Sequence, residues 1–302
     1  MFHPPRLLMV LRIFRNSLSV VLVLTASSCI SGRDVLHLGE KVSEAPTVRR
    51  ATTGAPSHFI CWNVHKASDE HFIGEVQSLL ETIPKEDGVI LCLQEVRSST
   101  YELIKDLHRE KVSGHYAPSW KLAFSKQSTG VLTVGNWPLP VSGAERISSP
   151  RREMLVASPK VALRTELPMA DGKSLQVVNC HGLIFVTHAT FERQLDRIFG
   201  ALQDRDQPAI VCGDFNVWSA ERLEVLRAKA QEVGLSEAAT RNPASSPAPK
   251  WLRGLHRFNG FDPDIPLDRI FTRGVDVLDC YSVENSLCSD HLPLVLRFAV
   301  DS

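Results

Sequence analysis

Polar side chains of a few chemical types stand at one end of six short apolar runs. In VCGDFN the run ends in Asp214 and Asn216, and in CSDHLPL Asp290 and His291 stand directly before an apolar run. The other four runs carry WNVHK, LQEV, NCHG and LDRIF, which supply Asn63 with His65, Glu95, Asn179 with His181, and Asp268. One such Asp or Asn is usually a turn or a helix cap. Six strand ends of this kind indicate a shared site, because buried carboxylates repel one another unless a cation gathers them.

The residue types at these ends favour a hard divalent cation. Carboxylate and amide oxygens with imidazoles, and no cluster of Cys and His, select Mg²⁺ or Mn²⁺ over structural zinc. A Mg²⁺ site built from one or two carboxylates leaves room for the oxygens of a substrate phosphate. Glu95 is the preferred ligand, since the apolar run before it contains no basic residue. These residues therefore predict phosphoryl chemistry.

Cleavage of a phosphodiester also needs a positioned water, a base or orienting group, and donors for the developing charge. We interpret Asp214 as the group that orients the water and Asn216 as a neutral donor to phosphate. His181 and His291 are candidate donors or proton shuttles. Asp268 is expected to fix the tautomer of His291.

Strands must position these residues, because the apolar runs have strand length and recur along the chain. Strands are predicted at residues 58–64, 88–93, 130–134, 160–166, 174–180, 208–212, 267–271, 276–283 and 292–300. Apolar residues at helical spacing predict one helix within 189–204 and another within 219–234, with a cap at Ser219 and an end at Gly234. Several strands follow one another too closely for a helix to connect them, which favours an α/β sandwich with helices outside two sheets.

The first 29 residues are set apart from this domain. Arginines precede an apolar run at 18–26, which is the layout of an export signal and is shorter than the about 20 residues that span a bilayer. ASSC, ending at Cys29, resembles a bacterial lipoprotein processing site, so lipidation of Cys29 is predicted, with cleavage of an ordinary signal peptide as the alternative. Residues 30–57 are interpreted as a flexible tether to a domain at 58–302. The protein is accordingly expected outside the cytoplasm, anchored to a membrane or free.

Charge and loop composition bear on the partners. The chain has 34 basic and 34 acidic residues, and this balance argues against a strongly basic nucleic-acid binder. Phosphate would then be met locally, by a metal or by a few basic side chains. The proline-rich stretch 241–266 is a long loop, of a length that is usually functional or disordered. It holds a basic group that either grips phosphate or is solvated: Lys250, Arg253, His256 and Arg257.

The chain has seven cysteines. Four lie inside apolar runs and are interpreted as small buried hydrophobes: Cys61, Cys92, Cys180 and Cys212. A disulfide between Cys280 and Cys288 across a hairpin is the less favoured interpretation of that pair.

The ordered series WNVHK, LQEV, NCHG, GDFN, LDRIF and SDH resembles the endonuclease/exonuclease/phosphatase superfamily, in an exported bacterial branch. The resemblance covers residues 58–300. It implies a four-layer α/β sandwich, two packed mixed β-sheets flanked by helices, with the site at one edge of the sheets. It also implies a metal-dependent phosphoric ester hydrolase. The implied roles are Asn63, Glu95 and Asp290 near the metal, Asp214 and Asn216 at the attacking water and the phosphate, and His291 paired with Asp268.

The resemblance leaves several residues without a fixed role. His181 stands where the DNase I and sphingomyelinase branches carry a His, and Glu153 is the suggested partner for it. His65 and Asn179 are interpreted as structural, because a strand-end residue one pleat away from a catalytic one usually faces the opposite layer. Trp218 is assigned either to stacking on a substrate base or sugar, or to packing.

The substrate stays open at this point. Nucleic acid, phospholipid head groups and small phosphate esters compete, and the last of these would make the protein a phosphomonoesterase. A different class is a catalytically silent surface lipoprotein that uses the same fold for binding. The chain is expected to be a monomer whose partners are the phosphate ester and, through the lipid anchor, a membrane.

Overall fold

The computed structural model describes residues 36–38, 56–66, 70–105, 112–121, 127–137, 139–153, 158–202, 204–241, 262, 264–284 and 286–300. The predictions for the export signal, for Cys29 and for the basic group of the 241–266 loop lie outside these residues. Within these ranges, no helix is long and apolar enough to cross a membrane.

Thirteen strands form in the described part of the chain, most of them where apolar residues run continuously. Their bounds are β1 Leu36–Leu38, β2 Ser57–Asn63, β3 Gly88–Arg97, β4 Ser113–Lys121, β5 Ser128–Gly135, β6 Glu145–Ser148, β7 Val161–Pro168, β8 Ser174–His181, β9 Ala209–Asp214, β10 Ser236–Glu237, β11 Asp268–Arg273, β12 Val275–Ser282 and β13 Leu294–Val300. Continuous apolar runs are typical of strands that are covered on both faces, and β2 and β9 are buried along their whole length.

The strands build two mixed sheets. The first has the order β1-β4-β5-β3-β2-β13-β12 and the second the order β10-β11-β9-β8-β7-β6. One pair in each sheet is parallel, β2 with β3 and β8 with β9, and the other pairs are antiparallel. The ends of β2 and β3 therefore lie at one edge of the first sheet, and the ends of β8 and β9 lie at one edge of the second.

Helices cover the outer faces of the sheets. They are α1 Glu70–Glu81, α2 Ser98–Lys105, α3 His188–Gly200 and α4 Ala220–Glu232. The predicted cap of the last helix is confirmed, since the Ser219 hydroxyl accepts a hydrogen bond from the Arg222 amide at 3.3 Å. A buried Phe on each side marks the contact: Phe72 of α1 packs against the first sheet, and Phe191 of α3 packs against the second.

Between the sheets lies a third apolar cluster that includes Phe59, Ile90, Leu175 and Ile210. The order of layers is helix, sheet, sheet, helix, so the predicted four-layer α/β sandwich is confirmed.

The register of the strands gathers their polar ends. In the second sheet His181 pairs with Asp214, and Asp214 pairs with Asp268, so three predicted site residues stand side by side on β8, β9 and β11. In the first sheet Asn63 of β2 pairs with Gln94 of β3. The two rows lie at one edge of the sandwich, where the predicted site is assembled from both sheets.

All nine predicted strands are present with ends shifted by a few residues, and β1, β4, β6 and β10 are additional. β4 escapes sequence patterning because it contains Pro118, and its register shifts between Pro118 and Trp120. The largest change at a boundary is in β3, which continues to Arg97 beyond the predicted end at residue 93.

Candidate active site

A buried histidine–aspartate pair forms one wall of the site. His291 Nδ1 lies 2.6 Å from Asp268 Oδ2, and the backbone around His291 is held by two further bonds. The Trp62 indole donates to the His291 carbonyl at 2.9 Å, and the His291 amide donates to the Ser289 hydroxyl at 3.1 Å. Burial acts to lower the pKa of His291, but the charge of Asp268 and the hydrogen bond to it prevail and raise it to about 10. The expected pairing of Asp268 with His291 is thus present, and it favours the protonated form of the imidazole.

Asp214 stands beside this pair and is fixed on both carboxylate oxygens. The Asn63 side-chain amide donates to Asp214 Oδ2 at 2.9 Å, and the backbone amide of Asn216 donates to Oδ1 at 2.9 Å. The Asn216 side chain in turn donates to the carbonyl of Gly182 at 2.9 Å. His291 Nε2 lies 3.9 Å from Asp214 Oδ2, so the pair and the carboxylate border the same space.

The carboxyl group of Asp214 is less acidic than usual. Burial raises its pKa, the charge of His291 lowers it, and the nearby charge of Asp268 raises it again, with a net result of about 6. The group therefore takes up a proton nearer to neutral pH than an ordinary aspartate does.

Glu95 lies among basic side chains of the site. Lys66 Nζ lies 2.5 Å from Glu95 Oε2, and His181 Nε2 lies 3.7 Å from Glu95 Oε1. Burial acts to raise the pKa of Glu95, but the surrounding positive charges, that of Lys160 foremost, outweigh burial and hold it well below its usual range. Glu95 is therefore an ionised carboxylate that already attracts cations.

The backbone is bent into the left-handed region at this edge. Among the described residues, the non-glycine positions with positive φ are His65 at 45°, Lys66 at 62°, Glu95 at 55° and Asn216 at 52°. All four belong to the site. The register of β3 also shifts between Leu93 and Val96, a bulge that carries Glu95. Strained positions and bulges of this kind re-aim side chains and gather at functional sites.

The interpretation of His65 as a residue facing the opposite layer is wrong. Its left-handed backbone takes it off the alternation of β2, and its Nδ1 lies 2.7 Å from Asp290 Oδ1. The hydrogen bond to Asp290 raises the pKa of His65. Burial acts to raise the pKa of Asp290, but the bond from His65 prevails and lowers it. Asp290 is accordingly a second ionised carboxylate, with a basic side chain bonded to it.

The suggested pairing of Glu153 with His181 is also wrong. The Glu153 carboxylate accepts from the Ser158 hydroxyl at 2.6 Å and from the Ile184 amide at 3.0 Å. The partner of His181 is Lys160, whose Nζ lies 3.0 Å from His181 Nε2.

Lys66 and Lys160 are the site residues that sequence reasoning missed. Lys66 ends WNVHK, and Lys160 stands directly before the strand VALRTELP. Both lysines stand at a strand boundary, as the acidic site residues do, and this position was the signal available for them.

Two residues with an open role have packing contacts. Asn179 is fully buried between the sheets, in keeping with its structural interpretation. Trp218 has the Arg222 guanidinium 4.4 Å from its ring centre and donates from its indole to the Ile184 carbonyl at 3.3 Å. One face of the Trp218 ring is thus occupied, and its role in substrate stacking stays a prediction.

The donor chemistry fits a hard divalent ion, although no three His, Cys, Asp or Glu side chains converge on one ion position within the described ranges. Two ionised carboxylates and an amide stand at the same edge: Glu95, Asp290 and Asn63. Each carboxylate contacts a basic side chain, Lys66 on Glu95 and His65 on Asp290. Oxygen donors with this affinity for positive charge suit Mg²⁺ or Mn²⁺.

Comparison with known proteins agrees with this geometry. A model of the endonuclease/exonuclease/phosphatase family matches residues 60–291, a span that includes every residue placed in the site above. A UPF0294 protein of Yersinia pseudotuberculosis is 30% identical over 264 residues, which are 87% of this chain and 88% of that protein.

Solved structures show the same fold. An endonuclease/exonuclease/phosphatase from Beutenbergia cavernae matches with a TM-score of 0.62 at 16% identity, over 84% of this chain and 72% of the other. The human Nocturnin catalytic domain with bound sulfate matches with a TM-score of 0.59 at 20% identity, over 89% of this chain and 97% of the other. At these identities the likeness concerns the fold.

Proposed function

The chain belongs to the endonuclease/exonuclease/phosphatase family, and from that membership we propose that it is a divalent-metal-dependent phosphoesterase that hydrolyses a phosphodiester bond outside the cytoplasm. The observation that carries the proposal is the His291–Asp268 pair, 2.6 Å long, beside an Asp214 that Asn63 and Asn216 fix. A structural histidine would not need to border a second buried carboxylate, since each buried charge is costly.

Three residues of the chain have separate roles in the proposed hydrolysis. Asp214, held on both oxygens, orients the attacking water and accepts its proton, for which a pKa of about 6 suits it near neutral pH. His291 is an imidazolium whose Nε2 remains for a phosphate oxygen, because Asp268 takes Nδ1. Asn216 adds a neutral donor.

Mg²⁺ or Mn²⁺ would be held by Glu95, Asp290 and Asn63. When bound, such an ion neutralises charge on the phosphate and polarises its oxygens. The chain itself contributes the ionised state of Glu95 and Asp290, which burial alone would oppose.

The proposed compartment and anchor rest on the export signal predicted from the sequence. An N-terminal signal followed by Cys29 is the basis for placing the enzyme outside the cytoplasm, on a membrane or free. Cell fractionation with the Cys29→Ser variant as control tests this: the wild type should partition with membranes and the variant should not. Recovery of the wild type in the cytoplasm contradicts the proposal.

The metal requirement is tested with the full-length protein and bis(p-nitrophenyl) phosphate. We expect hydrolysis with Mg²⁺ or Mn²⁺, loss of activity with EDTA, and recovery on adding the ion back. Glu95→Gln should raise the metal concentration needed for half-maximal activity about 10- to 100-fold or abolish turnover, because the ion loses a charged ligand. Glu145→Gln, a change in an exposed residue of β6, is the matched control. Activity that survives EDTA contradicts the metal assignment.

The substrate class follows from a panel run under the same conditions. Plasmid DNA, sphingomyelin and sugar or inositol phosphates represent the three classes. p-Nitrophenyl phosphate separates phosphomonoesterase from phosphodiesterase activity. Binding of these compounds without turnover in the presence of either metal would instead support a silent binding protein.

A further inference from the structure

Lys160 projects into the site from the approach to β7. Its side chain is 13% exposed, and its Nζ lies 3.0 Å from His181 Nε2 and 3.9 Å from Glu153 Oε1. Two residues that precede it are bonded to each other, because the Glu153 amide donates to the Ser158 carbonyl at 3.1 Å and the Ser158 hydroxyl donates to the Glu153 carboxylate. The ammonium group is thus held in place by surrounding structure, in contrast to a flexible surface lysine.

The short distance between Lys160 and His181 fixes which group donates. An ammonium group carries three N–H donors and no acceptor, so the nitrogen that faces it at hydrogen-bond distance must accept. His181 Nε2 is therefore the acceptor, and the proton of the imidazole resides on Nδ1. In this arrangement His181 cannot donate from Nε2 to a substrate.

Lys160 retains donors for another partner. One of its three N–H groups is used by His181, while Glu153 at 3.9 Å is within ion-pair range but beyond hydrogen-bond length. The atom that Lys160 contacts, His181 Nε2, lies 3.7 Å from both Glu95 Oε1 and Asp214 Oδ2, so the ammonium stands beside the carboxylates where the metal and the attacking water are proposed to be held.

We propose that Lys160 is a catalytic residue that donates a charged hydrogen bond to a non-bridging oxygen of the substrate phosphate, and that His181 is a positioning residue which holds Lys160 for that contact. The inference rests on the proposed phosphoesterase function and deepens it. Lys160 keeps its proton throughout, since it stabilises the negative charge that develops on the phosphate and transfers nothing. His181 acts through Lys160 by accepting from it.

A double-mutant cycle separates this arrangement from one in which His181 contacts the substrate by itself. In the full-length protein with Mg²⁺, Lys160→Met should lower kcat about 100- to 1000-fold, the usual effect of removing one donor to a developing oxyanion. His181→Ala should lower kcat by no more than that. The double variant should be no worse than Lys160→Met alone, because His181 has nothing left to position. Losses that multiply in the double variant overturn the proposal.

Two further variants serve as controls, one for the loss of any lysine and one for the loss of the charged donor at position 160. Lys173→Met removes a lysine that is 53% exposed in the turn before β8 and should leave kcat and KM unchanged. Lys160→Arg keeps a charged donor, so its kcat should be at least about tenfold higher than that of Lys160→Met. Thermal unfolding followed by circular dichroism shows which variants fold. If Lys160→Met does not fold, the comparison of Lys160→Arg with the wild type and His181→Ala decides, and equal activity of Lys160→Arg and His181→Ala counts against the proposal.

Inorganic phosphate provides a readout that does not depend on turnover. Isothermal titration calorimetry with Mg²⁺ present should show phosphate binding about tenfold or more weaker in Lys160→Met than in the wild type. If the wild type hydrolyses none of the substrates but binds phosphate through Lys160, the proposed function fails and the contact stands. Equal phosphate affinity in both proteins, or no phosphate binding by the wild type, overturns the role of Lys160.

Discussion

The buried pair His291–Asp268 and the nearly buried pair His58–Asp87 lie near opposite ends of β2 and have different surroundings. His291 bonds Asp268 at 2.6 Å and borders Asp214. His58, near the start of β2, bonds Asp87 at 2.9 Å. Both pairs are buried or nearly so, which means that a buried His–Asp bond alone does not mark a catalytic residue. The second carboxylate next to His291 makes the difference.

This contrast leads to a matched pair of variants. His291→Ala should lower kcat by about 100- to 10,000-fold, the range of a lost general acid or charged donor, while KM changes little. His58→Ala should leave kcat within about threefold and lower the free energy of unfolding instead, because Asp87 loses its partner. Steady-state kinetics and urea unfolding measure the two effects. Near-normal turnover of His291→Ala removes His291 from the mechanism.

At the residue level, the sequence identified the acids and imidazoles of the site but missed its lysines. Asp214, Asp268 and His291 stand at strand boundaries in a recurring pattern, so their meeting could be expected. Lys66 and His65 could not be placed, because their left-handed backbone breaks the alternation on which sequence patterning depends. The partner of His181, Lys160, stands directly before the neighbouring strand β7, in a segment that carries no motif of its own.

Among the strands, β8 and β9 pair at a glycine directly before the site residues. Gly213 has φ of 144°, and a Cβ added to it would lie 1.9 Å from the carbonyl oxygen of Cys180. The glycine of GDFN thus permits the approach that brings Asp214 level with His181. The sequence showed the glycine within a motif, but the contact that requires it involves a neighbouring strand and became visible only in the fold.

Gly213→Ala should therefore destabilise the protein by about 3 kcal/mol or more, since it combines a strained backbone with a clash against backbone atoms. Gly74→Ala is the control: this glycine lies inside α1, nothing stands within 4 Å of an added Cβ, and the change should stabilise by about 0.5–1 kcal/mol. The free energy of unfolding in urea distinguishes the two. A neutral Gly213→Ala would mean that the strands can separate locally without cost.

The elements that sequence patterning predicted share continuous apolar character, which β2, β8 and β9 have because both of their faces are covered. The strands it missed lack that signal. β6 is a four-residue edge strand of sequence ERIS, whose residues are exposed or half-buried. An edge strand is stabilised by its hydrogen bonds to the neighbouring strand, and the sequence of the edge strand alone does not show that pairing.

Across the whole molecule, the two sheets are joined by a polar contact inside their apolar interface. The Asn179 side chain of β8 donates to the carbonyls of Leu93 and Leu132 in the first sheet, at 3.2 and 2.9 Å. Its oxygen accepts from the Gln94 amide at 2.7 Å. These bonds lie directly below the site and fix one sheet against the other, so the residues that the two sheets contribute keep their distances.

Asn179→Leu should lower the free energy of unfolding by about 3 kcal/mol or more, because it leaves buried carbonyls and the Gln94 amide without their partner. Gln176→Leu, near the start of β8 and thus at the end away from the site, removes a hydrogen bond to the Asp204 carbonyl. It should lower the free energy of unfolding by less. Urea unfolding of both variants tests this. Equal losses would contradict a special role for the contact between the sheets.

The buried thiols beneath the site have an experimental consequence. Four of them each precede a site residue by one to three positions: Cys61, Cys92, Cys180 and Cys212 before Asn63, Glu95, His181 and Asp214. Burial raises the pKa of Cys61, and raises that of Cys180 and of Cys212 well above the usual value, so the reactive thiolate is scarce in the closed sandwich. Alkylation of these thiols then proceeds at the rate at which the floor of the site opens to solvent. The chain thus contains its own probe of local breathing, with the half-buried Cys288 as an internal reference for reagent access.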